Sequence, residues 1–152
     1  MASNRKHSTA QTVIRLLFVV YVFLMLWLLF GQRFGTQVYT QQLARSLNFR
    51  PFATVGMYLK LLRSHASEAF WRHAIVNLAG NVVMFVPLGF FLPSIFSEFR
   101  GFFATFFFSL LLIALVEVVQ YFTMLGACDI DDLILNMMGI CIGYVLSKLK
   151  QH

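Results

Sequence analysis

"LLFVVYVFLMLWLLF", Leu16 to Phe30, is an unbroken apolar run of fifteen residues. Arg5, Lys6 and Arg15 lie ahead of it. A basic start before an apolar core is also the pattern of a secretory signal peptide. Fifteen residues is the upper end for such a core, and no A-x-A-like cleavage site follows. The run therefore reads as an uncleaved first membrane helix, over about residues 12–33. A bilayer crossing takes about 20 residues at about 1.5 Å each.

The rest of the chain agrees with that reading. Its 152 residues are 59% hydrophobic and only 12% charged, against about 25% charged in soluble domains. Three more segments are long and apolar enough to cross a bilayer, at about 74–96, 101–125 and 131–149. The expected fold is all-α: a polytopic membrane bundle of four transmembrane helices, forming a single domain over residues 1–152. The loop from Phe34 to His73 separates the first two spans. Within it "PFATVGMYLKLL" (51–62) carries apolar residues at helical spacing, with Pro51 suited to a first turn. This piece is expected to lie in the membrane interface.

The net charge is +6. The basic residues sit in the tail, the long loop and the C-terminus, which suits anionic membrane lipids. No basic stripe with interleaved aromatics points to nucleic acid. With both termini inside, Arg5, Lys6, Arg15, Arg100, Lys148 and Lys150 face the cytoplasm. Arg33, Arg45, Arg50, Lys60, Arg63 and Arg72 face outward. The counts tie, but short flanks and the first helix weigh more, so cytoplasmic termini are expected. Cys128 and Cys141 lack metal-ligand spacing, and a disulfide framework is not expected. His65 and His73 read as solvated loop residues.

Polar residues inside apolar runs carry the functional signal, because they are costly in lipid unless paired or used. Asn77 and Asn81 share a face at a spacing of four, and Gly80 between them is read as a point of close helix approach. Pro87, Gly89 and Pro93 loosen the same helix. Glu117 and Gln120 share a face of the third span, and Glu117 is the one carboxylate within an apolar run. An isolated ionised carboxylate there is expensive, so it must protonate or find a partner. Asp129, Asp132 and Asn136 line one face of the fourth span, with Asp131 pointing elsewhere as a helix cap. Gly139 and Gly143 make a GxxxG packing pair. Capping and helix packing could account for all of these residues. The alternative is that three polar faces meet in one cavity. Glu117, Asp129 and Asp132 are then candidate catalytic residues, and Asn77, Asn81, Gln120 and Asn136 candidate ligand-binding residues. Carboxylates and amides would suit a divalent cation such as Mg²⁺ or Ca²⁺, acid–base chemistry, or hydroxyls of a sugar.

In this order, "NLAGNVVMFVPLGFFLP", "EVVQYF" and "CDIDDLILNMMGICIGY" resemble the VanZ-like membrane proteins, and "LNFRPFATVGMYL" resembles the segment ahead of their second helix. The resemblance spans about Asn48 to Tyr144. It implies a bacterial cytoplasmic-membrane protein of the cell envelope, linked to resistance to teicoplanin, a lipoglycopeptide. Many members carry an Arg just upstream of the acidic motif; "TMLGACDIDD" has none. Two functions compete. One is an envelope protein whose cavity binds a lipoglycopeptide or a lipid-linked cell-wall ligand. The other is a membrane-embedded enzyme acting on such a substrate by acid–base or metal-assisted chemistry. An ion-coupled carrier or a passive scaffold are further alternatives. The oligomeric state is not legible.

Overall fold

The computed structural model describes residues 2–31, 47–63, 68–123, 125 and 128–149. Four long helices dominate: α1 (Ala2–Leu29), α3 (Glu68–Ile95), α4 (Phe102–Phe122) and α5 (Ile130–Leu149). Each contains a segment long and apolar enough to cross a membrane: Thr9–Leu29, Ala74–Ile95, Phe102–Phe122 and Ile130–Leu149. A shorter helix, α2 (Ala53–Arg63), occupies the loop segment expected to be helical. The loop is shorter than expected, because α3 already begins at Glu68 and takes in Arg72 and His73. Arg33, Arg45 and His65 lie outside the described residues.

Lipid tails are as apolar as a leucine side chain, so burial alone does not hold membrane helices together; close packing and hydrogen bonds do. The tightest seam joins α3 and α5. A Cβ on Gly139 would overlap the Val82 carbonyl, one on Gly143 the Val86 carbonyl, and one on Gly89 the Ile140 carbonyl. Three glycines thus let two backbones touch. The pairs 82/139 and 86/143 advance together, so α3 and α5 run parallel, with α4 returning between them in sequence. The GxxxG pair does what its spacing suggested. Gly80 does not: nothing lies within 4 Å of a Cβ built there, because it faces away from the seam.

Around the seam, Phe85, Ile113 and Ile140 are fully buried, and Met25 and Leu29 bring α1 onto the same core. Phe18 meets Phe91 and Phe96 edge-on at 5.8 and 6.0 Å. The Tyr21 hydroxyl donates to the Met84 carbonyl at 2.9 Å. Pro87 lacks the N–H that would serve the neighbouring Val83 carbonyl, so this stretch of α3 is where an outside donor is most useful. The pairs 18/91 and 21/84 run in opposite senses, so α1 is antiparallel to α3.

The bundle therefore has two distinct ends. At one, Tyr144 and Lys148 both donate to the Arg100 carbonyl at 2.9 Å, closing the α3–α4 turn onto α5. At the other lie the start of α5, the end of α4 and α2. A two-residue strand, β1 (Leu47–Asn48), pairs there in parallel with β2 (Cys128–Asp129). This bridge is the one departure from an all-α chain among the described residues.

Candidate functional site

The three aspartates that crowd the start of α5 hold different parts of the structure. Asp129 sits at the N-cap, and its Oδ1 accepts the Asp131 amide of the first turn at 2.9 Å. The same oxygen accepts from Asn48 Nδ2 at 3.1 Å, and Oδ2 accepts from the Thr54 hydroxyl at 2.5 Å. Asp132 reaches sideways to α3, where Asn81 Nδ2 donates to its Oδ1 at 2.5 Å.

Asp131 overturns its sequence-based role. It does not point away to cap its own helix; it is 1% exposed and caps a different one. Its Oδ1 accepts the Phe52 amide at 2.5 Å, and its Oδ2 accepts the Thr54 and Val55 amides at 2.8 and 3.0 Å. The first amides of a helix have no partner within it, and the positive end of the α2 dipole favours a carboxylate. Phe52 adopts a left-handed φ of 63° at that junction, an unusual conformation for a bulky residue. The backbone bends there so that the N–H groups of Phe52, Thr54 and Val55 can converge on one carboxylate.

Tyr58 is buried on α2 and faces the same cluster. Its hydroxyl is raised above the ordinary 10.0, first by burial and then by the negative Asp132 and Asp129. The Cys128 thiol is likewise raised, by burial first, then by Glu117 and Asp129. Glu117, 7% exposed near the end of α4, is thus close enough to this end of the bundle for its charge to be felt at β2. Gln120 turns elsewhere. Its Nε2 donates to the Leu29 carbonyl at 2.9 Å and holds the end of α1.

Asn77 Oδ1 and Asn136 Oδ1 are buried with no hydrogen-bond partner among the described residues. Asn77 lies one turn from Asn81 on α3, and Asn136 one turn from Asp132 on α5. Two open acceptors thus flank the Asn81–Asp132 bond. Such groups in a native interior call for an explanation, and a ligand donor or an internal water meets that need.

No group of three His, Cys, Asp or Glu side chains among the described residues is placed to hold a metal ion. Donor chemistry explains this. Both oxygens of Asp131, and both of Asp129, already accept hydrogen bonds from amides or a hydroxyl, and a hard cation would have to displace these donors. Cys128 and Cys141 are free thiols.

Sequence reasoning missed Asn48, Thr54 and Tyr58. Asn48 and Thr54 lie within the stretch that carried the family resemblance; Tyr58 had no polar neighbour to single it out.

The family profile described as VanZ/LLP1 matches residues 18–151. Protein VanZ of Enterococcus faecium is 30% identical over 135 residues, which is 88% of this chain and 73% of that protein. No solved structure matches the chain.

Proposed function

The chain belongs to the VanZ/LLP1 family, and from that premise we propose that it is a resistance-associated envelope protein of the bacterial cytoplasmic membrane. It binds an amphiphilic ligand, teicoplanin or a lipid-linked cell-wall ligand, at the polar end of the bundle. Both termini are cytoplasmic, so this end faces outward, where such ligands are met.

The observation that supports this reading is the pair of open carbonyl acceptors, Asn77 Oδ1 and Asn136 Oδ1, beside Asn81–Asp132. Amide and hydroxyl groups of a glycopeptide or a lipid-linked precursor are donors of the kind these acceptors lack. A buried polar group without a partner costs about 1–3 kcal/mol, so a ligand that supplies a donor gains that much per group. The engaged carboxylates weigh against the metal-assisted enzyme, because Asp129 and Asp131 are committed to holding β1, α2 and α5 together.

The test is susceptibility. Deletion should sensitise the bacterium to teicoplanin and leave vancomycin susceptibility unchanged. A wild-type copy should restore resistance, and Asn136→Leu, folded and membrane-inserted, should not. Equal susceptibility of deletion and parent strains sinks the proposal.

A further inference from the structure

An apolar groove of about 640 Å³ runs down the α4/α5 face of the bundle. Pro51 covers its mouth at the polar end; Ile130, Met138 and Ile142 form one wall, and Phe106 and Leu110 the other. From Ile130 to Ile142 the α5 axis rises about 18 Å at 1.5 Å per residue. The hydrocarbon core is about 30 Å thick, so a single leaflet is about 15 Å deep. The groove starts at one membrane face and stops just past the midplane.

These dimensions select the occupant. Spread over about 18 Å, 640 Å³ gives a mean cross-section of about 36 Å². A helix with its side chains is about 10–12 Å across, which needs a larger area, and a spanning helix would need a groove running the full membrane. A helix of a second copy therefore cannot seat wholly inside it. A flexible hydrocarbon chain entering from one leaflet does.

The surface around the mouth selects the headgroup. Arg50, next to Pro51 in the chain, is exposed. The Arg50 side chain has no ion pair or side-chain hydrogen bond among the described residues. The nearby carboxylates Asp129 and Asp131 are already engaged by Asn48, Thr54 and the α2 amides. A negative headgroup at the interface thus meets a free guanidinium, which binds phosphate in a forked geometry.

We infer that this groove is a binding site for one acyl chain of an anionic glycerophospholipid, with the phosphate at Arg50. The inference is independent of the resistance reading, since it rests on the groove and not on Asn77 and Asn136.

Native mass spectrometry of the full chain from detergent tests it, with phosphatidylglycerol or phosphatidylcholine added. The wild type should retain one phosphatidylglycerol per monomer. Leu110→Trp and Met138→Trp, which fill the groove, should abolish retention. Met138 is half exposed, so the second variant keeps the test sound if the first fails to fold. Leu111→Trp, exposed on α4 outside the groove lining, should change nothing. Arg50→Ala should weaken phosphatidylglycerol retention about tenfold, as expected for one lost charge-assisted bond, and weaken phosphatidylcholine retention less, because the choline cation already offsets its phosphate. Equal retention by the tryptophan variants, no preference between the two lipids, or a lipid-free dimer would each overturn it.

Discussion

At the scale of single residues, the acidic cluster divides labour in a way that stability measurements can resolve. Asp131 meets three amides from a separate helix while almost fully buried. Truncation leaves those donors without acceptors, at about 1–3 kcal/mol each before water relieves some of them. Asp131→Ala should therefore cost about 3 kcal/mol or more, read by reversible unfolding in mixed micelles. Asp129→Ala loses a helix cap, typically about 1 kcal/mol, together with half-buried contacts to Asn48 and Thr54, and should cost about 1–2 kcal/mol. The opposite ranking would refute the interlock assigned to Asp131. Cys128 offers a second, chemical readout. Its thiol is raised above 9.0 by burial, then by Glu117 and Asp129, and the thiolate is the reactive form. In a Cys141→Ala background, iodoacetamide labelling of the folded protein should reach half its maximal rate above pH 9.0. Because the folded value is the higher one, whatever this thiol adds to stability is intact below pH 9.0 and is lost as pH climbs through the folded value. Glu117→Gln should move the labelling profile down; an unmoved profile would mean that Glu117 carries no charge near β2.

At the scale of elements, the α3/α5 seam and the turn of α3 at Gly80 make opposite predictions for the same substitution. Gly143→Ala drives a methyl group into the Val86 carbonyl and the Phe90 amide. Overpacking of this kind costs about 1–3 kcal/mol, and here both neighbours are backbone and can yield little, so the upper figure is expected. Gly80→Ala meets open space and should stabilise by up to about 1 kcal/mol through helix propensity. Thermal unfolding of the two variants side by side checks both signs. The contrast also marks how far sequence reaches. Periodicity located the four spans, α2 and the Gly139/Gly143 seam, because each is written in consecutive residues of one helix. Spacing also put Asp132 on the face that meets Asn81. It misassigned Gly80, whose environment depends on how α3 is rotated in the bundle. It could not show the β1–β2 bridge, two residues paired across about 80 positions of chain. It misread Asp131 because that carboxylate's partners are backbone amides of α2, and amides leave no trace in side-chain pattern.

At the scale of the whole molecule, the two ends differ in what they do with charge, and that difference makes orientation testable. Arg15 lies toward the end where Arg100 and Lys148 cluster near the α3–α4 turn, while Arg50, Lys60 and Arg63 surround the acidic end. Raw numbers alone do not orient the bundle. Basic residues in short flanks and turns resist translocation more effectively than those in a long loop, and the first helix usually dominates. The N-terminal half of α1 carries Arg5, Lys6 and Arg15, and the short α3–α4 turn carries Arg100. Both favour the cytoplasmic side, an orientation that would place α2, Asn48 and the aspartates at the outer face. In a chain whose native cysteines are replaced by Ala, Arg63→Cys and Arg100→Cys put exposed thiols at opposite ends. A membrane-impermeant maleimide applied to intact cells should label the first and reach the second only after permeabilisation. Labelling of Arg100→Cys in intact cells would invert the bundle and bring the polar end to the cytoplasm. The outward-facing ligand site would then be untenable, whereas the lipid groove would merely move to the inner leaflet.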